Sequence, residues 1–116
     1  MPSSTGFVFV DNPRAFATPG TTTAFVSRHI RKKRELFGVL KRQLGLPEHF
    51  GNNWDALHDC LQAIDRPTAL IHDGLPFGEG FQSRRIYLEL LHGLIETRGS
   101  PWTIVFPTGT SITHST

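Results

Sequence analysis

The sequence predicts a single α/β domain in which a three-stranded parallel sheet is packed with three or four helices, in the order β-α-α-β-α-β. Short apolar runs of strand length are separated by longer segments whose apolar residues recur at helical spacing. No hairpin turn joins two successive strands, which favours parallel pairing. The 116 residues suit one domain with its own hydrophobic core.

The first strand and the first helix of the main domain are predicted within residues 22–44. The run from Thr22 to Ile30 is rich in threonine, valine, phenylalanine and isoleucine, which favour strands. The following segment, Arg31 to Leu44, is predicted to be an amphipathic helix that ends at Gly45. Its apolar stripe is formed by Leu36, Phe37, Leu40 and Leu44.

A second helix is predicted from about Asn53 to Ile64. The loop before it contains Pro47 and Gly51, and the side chain of Asn52 or Asn53 is suited to cap the first turn. Helical spacing sorts the residues of this helix into two faces. We expect an apolar face with Trp54, Leu57 and Leu61 in the core and Cys60 and Ile64 beside them, and an opposite polar face of Asp55, His58, Asp59 and Gln62, with both aspartates exposed.

The second half of the chain supplies two more strands and a third helix. Thr68–Asp73 is a short, largely apolar run of strand length, and Trp102–Phe106 is another. Phe81–Thr97 carries a broad apolar stripe at helical spacing, although Gly93 weakens the helix interior. Strands that alternate with helices in this way are expected to pair in parallel through right-handed crossovers.

The two ends of the chain are predicted to lie outside a main domain at residues 21–107. We expect residues 1–20 to form an N-terminal extension, within which Phe7 to Val10 has the composition of a short extra strand. Residues 108–116 contain little to bury and are expected to form a flexible tail.

The cysteine content and the short apolar runs favour a reducing, cytoplasmic compartment. The single cysteine, Cys60, excludes an internal disulfide and fits a reducing environment. The N-terminus has no basic residue, its apolar run is too short for a secretion signal, and no run is long enough for a membrane helix. We therefore expect a cytoplasmic protein with no membrane partner.

The net charge of +2 conceals two oppositely charged segments. Between Arg28 and Arg42 there are seven Lys or Arg residues and one Glu, whereas between Gln43 and Asp65 there are four carboxylates and no Lys or Arg. The basic segment is typical of a nucleic-acid-binding face, or of the solvated side of an amphipathic helix. The acidic helix is likewise either solvated surface or a patch that meets a cationic partner.

The arrangement of reactive residues does not favour an enzyme, a metal site or a cofactor. The six histidines occur in no zinc-binding pattern, so we expect no metal ligands. Ser83 is followed by arginines rather than by the glycine of a nucleophile elbow. Asp55 and Asp59 are expected to lack the burial that would separate an acid from a base. We expect no catalytic residue and no bound cofactor.

The stretch from Leu46 to Leu61 is the most specific motif in the chain. It begins Leu-Pro-Glu-His-Phe-Gly and continues with Asn, Asp-Ala-Leu and Asp-Cys-Leu, each of the three preceded by one intervening residue. This order resembles the signature of the barstar family, the intracellular inhibitors of barnase-type ribonucleases. The order of elements over about residues 22–106 is similar to that family as well, so the resemblance implies a barstar-like fold.

The resemblance implies a binding function and a set of partner-binding residues. In that family the loop and the following helix fill the active site of a bacterial ribonuclease, and aspartates pair with the enzyme's cations where the substrate phosphate lies. Asp59 matches the aspartate that reaches deepest, and Asp55 matches the second one. The implied partner is a secreted or toxin-like ribonuclease, bound by a monomer that acts as an immunity protein or antitoxin. The implied partner-binding residues are His49, Gly51, Asn53, Asp55, His58, Asp59 and Gln62.

Three positions depart from the family pattern. His49 and His58 stand where the family type member has a tyrosine and a tryptophan, and Ile64 stands where it has another tryptophan. The acidic interface residue that the resemblance implies on the third helix has Glu96 as its candidate. An alternative from another class is a nucleic-acid-associated regulator that uses the basic helix 31–44. For the inhibitor itself, direct nucleic-acid binding is not expected.

Overall fold

The computed structural model describes residues 6–16, 20–47, 53–77, 81–97 and 99–110. These residues form four strands and three α-helices, with one short 3₁₀ turn at Pro13–Ala15. The strands and helices are β1 Gly6–Val10, β2 Thr22–Val26, α1 Lys33–Leu44, α2 Trp54–Gln62, β3 Thr68–His72, α3 Phe81–Glu96 and β4 Trp102–Pro107.

The strands form one parallel sheet with the order β1-β4-β3-β2. The predicted α/β fold and the parallel pairing of β2, β3 and β4 are confirmed. The sheet has four strands rather than three, because β1 pairs with β4 in the register Phe7 to Ile104. That partner lies at the far end of the described chain, so no local pattern indicates the pairing.

All three helices pack on one face of the sheet. Their apolar side chains join one hydrophobic cluster with alternate residues of the strands, such as Leu70 of β3 and Ile104 of β4. The predicted apolar stripe of α1 agrees with the structure, since each of its members is buried: Leu36, Phe37, Leu40 and Leu44.

The segment after β1 covers the opposite face of the sheet. Because β1 and β2 are the two edges, the connection between them must cross from one side to the other. Pro13 is buried there, and Phe16 packs against the second hydrophobic cluster, which is centred on β3 and β4. The Arg14 guanidinium lies 4.7 Å from the centroid of the Phe25 ring and 3.3 Å from an Asp73 carboxylate oxygen. The parallel sheet is thereby covered on both faces.

The end of β2 and the start of α1 differ from their predicted positions, and in both places a side-chain carboxylate binds backbone N–H groups. β2 ends at Val26 rather than near Ile30, because Asp73 accepts a hydrogen bond from the Arg28 N–H at 2.7 Å and turns the chain. Helix α1 begins two residues later than predicted. The Glu35 carboxylate accepts from the N–H groups of Arg31 and Lys32 at 2.9 and 3.0 Å, and these bonds lower the Glu35 pKa. The helix ends as predicted, at Gly45 in the left-handed region with φ 68°.

The free edge of β2 is blocked by a side-chain amide. Gln43 of α1 accepts a hydrogen bond from the Phe25 N–H at 2.8 Å and donates one to the Phe25 carbonyl at 2.9 Å. The amide thus occupies the position that a neighbouring strand would take.

A buried histidine–tyrosine pair joins the sheet to α3. His72 Nε2 lies 2.6 Å from the Tyr87 hydroxyl, and Nδ1 lies 3.1 Å from the Val105 carbonyl. Both side chains are fully buried. A neutral imidazole that donates from Nδ1 and accepts from Tyr87 satisfies both contacts. Burial is the main cause that lowers the His72 pKa to about 4, and burial also raises the Tyr87 pKa.

We expect this pair to make the protein sensitive to acid. Between its ordinary pKa of 6.5 and the folded value near 4, His72 is protonated in the unfolded chain but not in the folded protein. The free energy of unfolding therefore falls as the pH falls through this window, by roughly 3 kcal/mol in total. The measurement is denaturant unfolding from pH 7.5 to 4.

The control is the double variant His72→Phe with Tyr87→Phe, which removes the titrating group and its partner together. Its stability should change less over the same pH window. Equal pH dependence in the parent and the double variant would assign the acid sensitivity to other groups.

Leu57 is the central apolar contact of α2 and is fully buried. We expect Leu57→Ala to lower the free energy of unfolding by about 2–5 kcal/mol, because it leaves a cavity under the helix. The exposed Asp59→Ala change on the same helix is the control and should stay within about 0.5 kcal/mol of the parent. Denaturant unfolding of both variants provides the comparison. A small loss for Leu57→Ala would mean that α2 is not anchored by this face.

Candidate functional site

Helix α2 is held in place by its first residue and by its inner face. The Asn53 side chain accepts a hydrogen bond from the Ala56 N–H at 2.8 Å, so Asn53 provides the predicted cap. Leu57 and Leu61 are fully buried, as predicted. The backbone of α2, and the polar residues it carries, are therefore fixed relative to the sheet.

Trp54 is less buried than predicted. It lies in the first turn of α2 at the margin of the core, and its side chain is half-buried. Its ring meets Phe37 edge-on at a centroid distance of 5.2 Å and Phe77 at 6.0 Å. The indole also lines an open groove between α2 and α3.

The outer face of α2 carries the predicted polar residues. Asp55, Asp59 and Gln62 are exposed, and His58 between them is half-buried. The two aspartates are one helical turn apart, so their carboxylates are neighbours on the same face. Two of the residues implied by the resemblance, His49 and Gly51, lie outside the described residues.

The two aspartates have no cationic partner within the part of the chain that the structure describes. The ion pairs found there join Arg14 to Asp73 and Arg85 to Glu89. Asp55 lies in the first turn, where the partial positive charge of the helix end favours a carboxylate. The face is therefore negatively charged and rigid, and no cation among the described residues compensates it.

An open groove of about 320 Å³ runs between α2 and α3 beside Asp55. Helix α2 contributes Trp54, Asp55 and His58, and α3 contributes apolar side chains and one carboxylate. The α3 lining residues are Ile86, Glu89, Leu90 and Gly93. The groove thus combines apolar walls with the carboxylates of Asp55 and Glu89.

The sequence did not identify Glu89 as a member of this surface. The resemblance pointed to Glu96, which is exposed at the end of α3 and does not line the groove. Glu89 lines it and pairs with Arg85 at 3.4 Å. Which α3 residues face α2 depends on how the two helices are rotated against each other, and helical periodicity does not specify that rotation.

Gly93 of α3 lies against His58 of α2. A Cβ atom at this position would lie 3.4 Å from His58 Nε2, which is van der Waals contact. The glycine that weakens the interior of α3 therefore faces the histidine of the acidic face. Further along, Gln62 Nε2 donates to Thr97 Oγ1 at 3.4 Å and links the two helices again.

A basic surface lies at the start of α1. Arg28, Arg31, Lys32, Lys33 and Arg34 are all exposed. The neighbouring carboxylates, Glu35 and Asp73, accept hydrogen bonds from backbone N–H groups of the same segment. The positive charge is thus only partly offset, and the two oppositely charged surfaces inferred from the sequence both exist in the fold.

The described residues contain no group of three or more His, Cys, Asp or Glu side chains that is placed to hold a metal ion. Among the same residues, no helix is long and apolar enough to cross a membrane. Cys60, the one cysteine, is half-buried against the core and is not disulfide-bonded. What the surface of α2 offers is a fixed pair of carboxylates next to a partly apolar groove.

The sequence of this chain matches the family model described as Barstar (barnase inhibitor) over residues 22–106. The match covers most of the chain, from β2 to β4, and leaves β1 and the segment that crosses the sheet outside it. It includes α2, the loop before it and the groove side of α3. The chain therefore belongs to the barstar family of barnase inhibitors.

Proposed function

We propose that this protein inhibits a cognate bacterial ribonuclease by placing the outer face of α2 in the enzyme's active site. One observation carries the proposal. Asp55 and Asp59 project from a helix that is capped and anchored, and no described cation neutralises them. We further propose that the protein does this in the cytoplasm, as an immunity protein or antitoxin rather than as an enzyme.

The chemistry of the partner supports this assignment. A ribonuclease holds the phosphodiester of its substrate with fixed arginines, lysines or histidines. A carboxylate presented on a rigid helix can form charge-assisted hydrogen bonds with the same groups. Because the helix is already ordered, little conformational entropy is lost when the carboxylates engage. The inhibitor then competes with substrate by occupying the phosphate position.

The remaining residues of the face contribute contacts around the two aspartates. Gln62 offers an amide at the end of α2, and Asn53 holds the beginning of the helix. We assign His49 and Gly51, in the preceding loop, to the same interface. His58 is half-buried against Gly93, so it offers a smaller contact than the tryptophan found there in the family type member. We infer that this surface fits a nuclease whose contacting side chains differ from those of the type member's partner.

We expect Asp59→Ala to raise the dissociation constant for the cognate nuclease by more than tenfold, which corresponds to more than about 1.4 kcal/mol. Removing the carboxylate leaves the enzyme's cations buried without a partner. Folding stability should be unchanged or slightly higher, because repulsion with Asp55 is relieved. Asp55→Ala should act in the same direction but less strongly. Titration calorimetry measures the affinity, and denaturant unfolding measures the stability.

Two matched variants sharpen this test. Asp59→Asn keeps the size of the side chain and removes its charge, so it should weaken binding nearly as much as Asp59→Ala. Arg34→Ala, on the basic surface, should alter association only through a long-range effect that salt screens. Parent-like affinity for Asp59→Ala, together with loss of binding for Arg34→Ala, would move the interface from α2 to the basic surface.

The basic surface supports a second candidate function, a nucleic-acid-associated regulator. The observation that favours it is the exposure of five cationic side chains whose acidic neighbours are engaged with the backbone. Binding of this kind releases counterions, so the affinity for generic RNA would fall steeply with rising salt. Tight one-to-one binding to a small ribonuclease, with little affinity for RNA, instead supports the inhibitor.

A further inference from the structure

Within the described residues, the outer edge of β1 presents backbone groups that have no hydrogen-bond partner. The Thr108 N–H donates to the Val10 carbonyl at 2.9 Å, so Val10 directs its backbone groups toward β4. In a parallel ladder this direction alternates along the strand, and Gly6 and Val8 therefore also face β4. The N–H and C=O groups of Phe7 and Phe9 point away from the sheet. Among the described residues, nothing is hydrogen-bonded to this side of β1.

The two edges of the sheet differ in whether a side chain blocks them. The edge of β2 is closed by the Gln43 amide, which satisfies both backbone groups of Phe25. The edge of β1 has none of the usual blocking features, since Gly6–Val10 contains no charged residue and no proline. The strand is also paired without a bulge along all five residues of its register with β4.

An exposed aromatic ring marks the same edge. Phe9 is 42% exposed, and it is the one large hydrophobic side chain that is exposed in the described part of the chain. Its ring centroid lies 6.3 Å from that of Phe106, and the Phe7 ring lies 6.5 Å from Phe106 on the same face. The edge therefore carries a short aromatic row with one side in solvent.

We propose that β1 is a dimerisation strand, which pairs antiparallel with β1 of a second copy of this chain about a two-fold axis at Val8. In this register Phe7 lies opposite Phe9 of the second copy, and Phe9 lies opposite its Phe7. These are the residues whose N–H and C=O groups point outward, so each facing pair exchanges both of its backbone hydrogen bonds. The sheets of the two copies then form one continuous sheet.

The composition of β1 suits a second copy of the same strand at this edge. A two-fold axis requires that the same residues form both halves of the contact, and Phe7 and Phe9, two positions apart, fulfil this requirement around Val8. Directly opposite residues of an antiparallel pair place their side chains on the same face, so the exposed Phe9 ring packs beside the partner's Phe7. No charged residue of β1 meets its own copy at the axis.

This inference is independent of the inhibitor function and differs from the expectation of a monomer. Phe7 contacts His92 of α3, with ring centroids 4.8 Å apart, whereas the groove is lined by Ile86, Glu89, Leu90 and Gly93 of that helix. Pairing through β1 therefore leaves α2 open, and a dimer presents two acidic faces.

The test is sedimentation equilibrium of the full chain over a range of concentrations. We expect a reversible monomer–dimer equilibrium for the parent. Phe9→Lys places an ammonium group in the aromatic contact and should raise the dimer dissociation constant at least tenfold. The matched control is Thr23→Lys, the same new charge at an exposed position on the strand at the other edge, and it should leave the equilibrium unchanged. Denaturant unfolding checks that both variants remain folded.

A second measurement needs no variant. Amide hydrogen exchange of the parent should show the Phe7 and Phe9 N–H groups becoming protected as the protein concentration rises, while the Phe25 N–H keeps constant protection. A parent that stays monomeric at its highest soluble concentration overturns the proposal. So does a dimer that Phe9→Lys leaves intact, or one in which the Phe7 and Phe9 amides exchange as fast as in the monomer.

Discussion

The structure depends on the burial of β3 from both sides. All five residues of this strand are buried, including the polar Thr68 and His72. A parallel strand at the centre of a sheet must be covered on each face, or its apolar side chains remain in water. The helices cover one face, and the segment between β1 and β2 covers the other. This requirement also positions α2, because Leu57 and Leu61 pack into the core on the face that the helices cover.

Much of the fold could be predicted because its signals are local. Each of these signals comes from residues that are close together in the sequence. They are the helical spacing in α1 and α3, the glycine after α1 and the apolar run of β3. β1 differs in that its five residues become a strand only through β4, so its composition indicated a strand but not its neighbour. The observed ends of strands and helices differ from the predicted ones where a side chain binds backbone groups. Asp73, for example, accepts a hydrogen bond from the Arg28 N–H just after β2.

The same distinction applies to the surface of α2. Exposure of Asp55 and Asp59 followed from spacing within one helix, and the structure agrees. The half-buried state of Trp54 and the presence of Glu89 in the groove depend on how α2 and α3 meet, which involves two elements at once. The contact between Gly93 and His58 is of this kind, since it too joins the two helices. The positions of His49 and Gly51 lie outside the described residues.

The pairing of β1 with β4 has a consequence for how the protein folds as it is made. The register that joins Phe7 to Ile104 closes a loop containing all the other elements of the domain. Contacts so distant in sequence form late, because the entropy of loop closure must be offset by structure already in place. During vectorial synthesis β1 emerges first and waits, unpaired, until β4 has been translated. Of the four strands described, β1 is therefore made first but joins the sheet no earlier than β4.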